Sequence, residues 1–289
     1  AASSDDADTE ADPTRAVTTS RLRPTIAYRL PRSLSPSSHA AITAGRVGVA
    51  CLVAGGVSLA LGFERPHWAA ISALVVLQTG VDRVHGTVRA LHRFLGTAVG
   101  LVLFAALHAA APQGYALIAV VAVLQFSIEI LIVRNYAAAV VAITPVALLA
   151  SGAGMTGGAA GPEIRDRLLE TLVGVVIALL AMYLLDPGAH RRTFAWTDRR
   201  IRSAAVELAD VTAPASAPPA REAARHLHFE LEGGVRAGID SMHNEPAWTA
   251  ERWPARAALV HDGYDLASAF WTAAPDAPLP DGAAWRGRF

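Results

Sequence analysis

The chain has 289 residues, of which 53% are hydrophobic and 17% are charged, whereas soluble domains average roughly 45–50% and 25%. Its formal net charge is zero and no basic run with interleaved aromatic residues occurs, so nothing in the sequence points to nucleic-acid binding. The single cysteine, Cys51, excludes a disulfide framework and a cysteine metal cluster. The sequence contains no lysine, which excludes a P-loop nucleotide site. We therefore expect a membrane protein without a cofactor.

Residues 1–39 are acidic at first and then basic, with interspersed Pro and Ser. Because this segment has little apolar surface to bury, it is predicted to be a disordered or linker tail. The chain begins with Ala1 and lacks a signal-peptide pattern. We interpret this start as that of a processed chain or of the downstream part of a longer protein.

Residues 40–186 are predicted to be a six-span transmembrane module, in which each span needs about 20 apolar residues. Five segments approach that length: Ala41–Phe63, Phe94–Gln113, Tyr115–Val133, Tyr136–Gly152 and Leu168–Leu185. A sixth, Trp68–Val81, would form only about 21 Å of helix against a hydrocarbon core of about 30 Å. It spans if the helix continues through Asp82, Arg83 and His85; otherwise it is a re-entrant segment.

The distribution of arginines favours the six-span interpretation. With the N-terminus inside, the inner segments hold fourteen arginines and the outer segments hold three, Arg65, Arg165 and Arg167. The positive-inside rule then predicts a multi-pass protein of the cell membrane with both termini cytoplasmic. After the last span, apolar residues at helical spacing predict a cytoplasmic helical domain over residues 187–273 and a loose tail over 274–289.

Four strings stand out in the membrane region: ERPHWAAISALVVLQ from Glu64, RALHRFLGTAVG from Arg89, NYAAAVVAITPVALL from Asn135 and IRDRLLETLVG from Ile164. Together they resemble the fusaric acid resistance and aromatic acid exporter family of transporters. The resemblance implies an all-α fold, with a bundle of about six transmembrane helices followed by a cytoplasmic helical domain. It also implies efflux of aromatic carboxylic acids, and many members carry two such modules in tandem. This chain holds one, so a second module or a second copy is an expected partner.

Arginines near the start of the third predicted span are candidates for substrate recognition. Arg89 and Arg93 lie one helical turn apart, and a planar guanidinium binds a carboxylate with two hydrogen bonds. The alternative is that they anchor the protein to anionic lipid headgroups. The further candidates at this side of the module are Gln78, Asp82, Arg83 and Arg134.

Charged residues within the predicted spans are functional candidates by default. Glu129 shares a helix face with Gln125 and would suit a proton carrier, or would pair with an arginine near the membrane boundary. Arg46 and Glu170 lie at a similar depth in the first and sixth spans. All of these charges either line one vestibule or form pairs.

Helix-disrupting and small residues mark two more positions. Thr144 and Pro145 fall within the fifth span, where proline frees a backbone carbonyl for substrate or merely bends the helix. Gly96 and Gly100 permit close helix approach, and we expect them to mediate pairing with a sister module. A G-x-G-x-x-G string at Gly152, Gly154 and Gly157 lies between two spans and is interpreted as a loop.

The favoured function is therefore a transporter that exports small organic acids, driven by an ion gradient. A passive anion channel and a non-transporting membrane scaffold are the alternatives. No nucleophile or metal constellation stands out, so we do not expect an enzyme.

Overall fold

The computed structural model describes residues 23–151, 160–279 and 281–289, and every regular element in these ranges is a helix. The glycines of the G-x-G-x-x-G string lie outside them. The chain divides into a membrane unit, His39–Ala189, and a helical unit that combines residues 23–38 with His190–Phe289. This agrees with the all-α fold expected from the sequence.

Within the described residues, the membrane unit contains six helices. In chain order they are α2 (His39–Ala60), α3 (His67–Leu77), α4 (Arg83–Ala110), α5 (Tyr115–Arg134), α6 (Tyr136–Ala150) and α7 (Gly161–Leu184). Among the described residues, α2, α4, α5 and α7 are long and apolar enough to cross a bilayer, whereas α3 and α6 are apolar but shorter. Four of the six predicted spans thus have the required length.

The second predicted span is shorter than the sequence suggested. A continuous helix through Asp82 and Arg83 was one of the two expectations, but α3 ends at Leu77. Gly80 adopts a φ of +100°, and the Asp82 side chain accepts hydrogen bonds from the backbone N–H groups of Val84 and His85, which starts α4. With 11 residues, α3 is only about 16 Å long.

The short helix α3 lies among longer ones. It packs against α2, α4 and α7, while α6 packs between α4 and α5. Small residues on α2 and α3, among them Ala54, Ala69 and Ala73, are fully buried and let the backbones approach closely. Three helices therefore flank α3, while Ile71 and Leu74 on its remaining face are exposed.

The helical unit is built from α8 (Ala189–Ala209), α9 (Pro218–Asn244) and α10 (Pro246–Thr272), with the short helices α1 (Ile26–Ser33) and α11 (Gly282–Arg286). Its core is formed mainly by aliphatic side chains of α8, α9 and α10 together with Phe270, and Ile201, Leu227 and Leu266 are fully buried there. Burying such side chains contributes about 1.5–3 kcal/mol each.

Two terminal segments are more ordered than predicted. Residues 26–33 of the expected linker tail form α1, because Tyr28 and Arg32 both donate hydrogen bonds to the buried carboxylate of Glu230. In the expected loose tail, the carbonyls of Pro275 and Ala277 accept hydrogen bonds from the α8–α9 connection. The sequence pattern did not show these long-range partners.

Candidate functional site

The membrane unit contains a cavity of about 260 Å³ beside the N-terminal halves of α3 and α7. The last turn of α6 contributes Leu148 to its wall. The other lining residues are Glu64, Arg65, Trp68, Pro162, Glu163, Asp166, Arg167 and Glu170. We call this cavity the α3–α7 pocket.

Arg167 is the most unusual residue of the pocket. It is 2% exposed, and its Nε and both Nη atoms have no hydrogen-bond partner among the described residues. Its guanidinium stacks on the ring of Trp68, with Cζ 3.6 Å from the ring centroid. The buried Nε1 of Trp68 also lacks a partner there. A buried arginine is costly unless its N–H groups are satisfied, so these donors are available to an acceptor from a ligand.

Glu170 lies about one helical turn after Arg167 on α7 and is likewise 2% exposed. Its Oε1 atom is buried and has no hydrogen-bond partner among the described residues. The Arg65 side chain donates to Ser151 Oγ over 2.8 Å. The pocket therefore holds unsatisfied polar atoms of both charge signs.

Arg93 adds positive charge to the same region. It is 4% exposed on α4, and its Nε and Nη2 lie 3.4 and 3.3 Å from Ser72 Oγ. Ser72 follows Trp68 by one turn of α3, and the charge of Arg93 acts on Arg167. Of the two arginines proposed from the sequence to recognise substrate, Arg93 is thus the one that the structure places near the pocket.

Other charged candidates form hydrogen bonds with backbone groups. Arg89 donates to the carbonyl of Val75 over 2.8 Å and lies over the ring of Tyr136. Arg46 donates to the carbonyls of Leu185 and Asp186 at the end of α7. The remaining two are Asp82, which caps α4, and Arg83, which donates to the carbonyl of Pro187. These contacts account for their side chains without a ligand.

Several candidates lie on exposed faces. Gln125 donates to Glu129 over 3.0 Å, and both are exposed on α5. Arg134 at the end of α5 and Gln78 at the end of α3 are exposed as well. Of Arg46, Glu129 and Glu170, which were considered as the lining of one vestibule, only Glu170 lines the pocket.

Gly96 and Gly100 pack against α6 of the same chain. A Cβ atom at Gly96 would lie 2.7 Å from the carbonyl oxygen of Ala137, and one at Gly100 would lie 2.7 Å from Thr144 Cβ and 2.8 Å from the oxygen of Val141. The expectation that this face pairs with a sister module is therefore wrong, because α6 occupies it.

Thr144 and Pro145 belong to the same helix contact. Both are buried, and the Thr144 hydroxyl donates to the carbonyl of Val140. Pro145 leaves the carbonyl of Val141 without its helical donor, and that oxygen faces Gly100 of α4. In the described structure this position serves helix packing.

The sequence interpretation missed Arg167 and Trp68 as site residues. Counting arginines assigned Arg167 to an extramembrane segment, whereas it lies inside α7. The available signal was the spacing of Arg167 and Glu170, which places opposite charges on one face of a helix that continues into an apolar span.

These features define an integral membrane helical protein with a buried, partly unsatisfied polar pocket. Residues 52–181 match the family described as fusaric acid resistance protein-like. The match includes all four strings that carried the resemblance, which is thereby confirmed.

Two curated relatives are bacterial proteins of unassigned activity. The chain is 36% identical over 162 residues to "Uncharacterized membrane protein YvaC" of Bacillus subtilis, covering 56% of this chain and 26% of that protein. It is 31% identical over 146 residues to "Uncharacterized protein YhfK" of Escherichia coli, covering 50% of this chain and 20% of that protein. The matches thus span about a quarter and a fifth of these relatives. No solved structure matches the chain.

Proposed function

We propose that the membrane unit is a transport module that exports small aromatic or other organic acids across the cell membrane, driven by an ion gradient. The observation that carries this proposal is Arg167, buried in the α3–α7 pocket with its N–H groups unsatisfied. A planar guanidinium fork is well suited to a carboxylate, and its stacking on Trp68 fixes the plane of the fork. The match of residues 52–181 to the fusaric acid resistance protein-like family supports the transporter class.

The pocket fits a small substrate. Its volume of about 260 Å³ lies just below the roughly 300–1,000 Å³ of sites for drug-sized ligands. Leu148 and Pro162 provide apolar wall, and Arg167 with Trp68 Nε1 provides donors. An acid with a single ring has the size and polarity that this lining would accept.

Transport is tested by flux into liposomes that contain the purified chain, with 3-phenylpropanoate as the first of a panel of aromatic carboxylates. We expect flux that Arg167→Gln abolishes and that Arg165→Gln preserves, because Arg165 is 71% exposed and pairs with Asp166. Uphill movement with an imposed ion gradient indicates a transporter, and downhill current alone indicates the channel alternative. Absence of any Arg167-dependent flux would leave the scaffold alternative.

Both termini are proposed to be cytoplasmic, which puts the pocket towards the outer side. In a Cys51→Ser background, a cysteine at Ala160 should react with an impermeant reagent added outside whole cells, and a cysteine at Ser20 should not. Reaction of both from the same side would contradict the six-span topology. A second module or a second copy is proposed to complete the assembly, through a face other than that of Gly96 and Gly100.

A further inference from the structure

The lining of the α3–α7 pocket is not that of a simple anion site. Four carboxylates line it, those of Glu64, Glu163, Asp166 and Glu170, against the two guanidinium groups of Arg65 and Arg167. Asp166 is already paired with Arg165, but buried oxygens of Glu163 and Glu170 have no partner among the described residues. An anion alone would leave these two acceptors unsatisfied.

The unsatisfied atoms show which groups are involved. On the positive side they are the three guanidinium nitrogens of Arg167. On the negative side they are Oε1 of Glu170 and Oε2 of Glu163, both buried without a hydrogen-bond partner among the described residues. Glu163, Arg167 and Glu170 follow one another at helical spacing on α7, so acceptors lie on both sides of the donor fork. A carboxylate on Arg167 would satisfy the fork and leave both acceptors unpaired.

We propose that the pocket binds a zwitterion, an aromatic compound that carries both a carboxylate and a protonated amine. The carboxylate accepts hydrogen bonds from Arg167 and from Trp68 Nε1, and the ammonium group donates to Glu170 and Glu163. The ring contacts Leu148 and Pro162, which also line the pocket. This proposal rests on the proposed function in that the same Arg167 binds the carboxylate.

The preference for a ligand with both charged groups follows from the cost of leaving buried polar groups of the pocket unpaired. A site with buried polar atoms discriminates strongly against a ligand that leaves them unpaired, by factors of about 10⁴ or more in favourable cases. Oε1 of Glu170 is buried without a donor among the described residues, so it can accept a hydrogen bond from a ligand. The amine is therefore expected to raise affinity rather than to be tolerated.

The test uses three ligands that share a phenyl ring and differ in which charged groups they carry. They are phenylalanine with both groups, 3-phenylpropanoate with the carboxylate alone, and 2-phenylethylamine with the amine alone. Binding to the purified full chain at neutral pH is measured calorimetrically. We expect phenylalanine to bind at least tenfold more tightly than either of the other two.

Two variants separate the contributions. Arg167→Gln should weaken phenylalanine and 3-phenylpropanoate alike, since both use the carboxylate. Glu170→Gln should lower the affinity for phenylalanine at least tenfold and leave that for 3-phenylpropanoate unchanged or higher. Glu129→Gln, an equivalent change at an exposed glutamate of α5 outside the pocket, is the matched control and should change neither.

The outcomes distinguish this proposal from the proposed function. The unmodified chain could bind phenylalanine and 3-phenylpropanoate with equal affinity, and Arg167→Gln could lose both. That result would contradict the zwitterion proposal but would still agree with the proposed transport of acids. An affinity for 3-phenylpropanoate that rises as the pH falls, with no preference for the amine, would show that Glu170 takes a proton instead and would also overturn it. If none of the three ligands binds, both proposals fail. The comparison in the unmodified chain stands even if a variant does not fold.

Discussion

Two buried arginines, one in each unit, show what separates a structural charge from a candidate binding charge. Arg256 of the helical unit and Arg167 of the membrane unit are both 2% exposed, and both stack on an aromatic ring, Phe194 and Trp68 respectively. Both Nη groups of Arg256 are hydrogen-bonded, whereas no guanidinium nitrogen of Arg167 has a partner among the described residues. The two arginines are therefore equally buried but differ in how many of their guanidinium nitrogens are hydrogen-bonded.

The contacts of Arg256 bind three helices together. It donates to the carbonyls of Gly234 on α9 and Phe194 on α8, and to the carboxylate of Asp198. Burial lowers the pKa of its guanidinium, and the charge of Asp198 opposes that shift. Only Nε of Arg256 lacks a partner among the described residues, so the protein already occupies both terminal nitrogens that would form a fork for a ligand.

The largest expected effect contrasts these two residues. Arg256→Met should destabilise the helical unit by about 3–5 kcal/mol, because it leaves two carbonyls and a carboxylate unpaired. Arg167→Met should change the stability of the membrane unit little or raise it, because a buried unpaired charge is removed. Amide hydrogen exchange of the full chain, read over residues 190–272 and 160–184, measures both. A large loss of protection with Arg167→Met would mean that this arginine is structural after all.

The second prediction extends the contrast to a buried carboxylate. Glu230 is 4% exposed and accepts hydrogen bonds from Tyr28, Arg32 and Arg200. Burial raises the pKa of Glu230, and the charge of Arg200 opposes it. Glu230→Ala should cost about 3 kcal/mol, since the partners keep their charge and lose their acceptor.

Detachment of α1 from α9 is the result that we expect specifically from Glu230→Ala. Residues 26–33 are held to α9 by Glu230, so their amides should lose exchange protection in Glu230→Ala while the core of α9 and α10 keeps it. Glu232→Ala, two residues along the same helix and 66% exposed, is the control and should leave α1 protected. An unchanged α1 in Glu230→Ala would show that its attachment does not depend on this carboxylate.

The third prediction tests how tightly the walls of the pocket are packed. A Cβ atom at Gly174 of α7 would collide with the carbonyl of Ala69 and lie 2.8 Å from Ser72 Cβ. Gly174→Ala should therefore cost about 1–3 kcal/mol by overpacking. It should also weaken ligand binding, because α3 carries Trp68 next to the point of collision. Gly45→Ala on α2 meets nothing within 4 Å and is the control. Thermal unfolding in detergent and the calorimetric affinity measure the two effects.

The fold followed from the sequence where the signal was local. Apolar runs gave the helices α2, α4, α5 and α7, and helical spacing gave α8, α9 and α10. The boundary of α3 was harder, because Gly80 and the Asp82 cap decide it within an apolar context that favoured continuation. The order of the terminal segments depends on contacts such as that between Tyr28 and Glu230, which are separated by 202 residues.

The site was only partly accessible from the sequence. Glu170 was named because charges inside spans are conspicuous, and Arg93 because it lies one helical turn from Arg89 near the start of a span. Arg167 was not, because the sequence does not show whether a boundary arginine points to water or stacks beneath a tryptophan. Conversely, Arg46 and Arg89 looked equally promising until their backbone acceptors were known. Satisfaction of hydrogen bonds, which decides between the two roles, is a tertiary property.

The smallest expected effect concerns the surface of the helical unit, where a paired charge contributes little. Glu245 accepts hydrogen bonds from Arg191 and His190, which lower its pKa from 4.5 to about 2. Because the folded pKa lies below the unfolded one, the contribution to stability is present above pH 4.5 and is lost as the pH falls towards about 2. The carboxylate is partly exposed, so solvent screening keeps the contribution small. Thermal unfolding of the full chain and of Glu245→Gln across this window should show a slightly steeper acid destabilisation in the unmodified chain. Parallel curves would mean that the Arg191 pair adds nothing to folding, and they would widen the contrast with Arg256, whose contacts are buried.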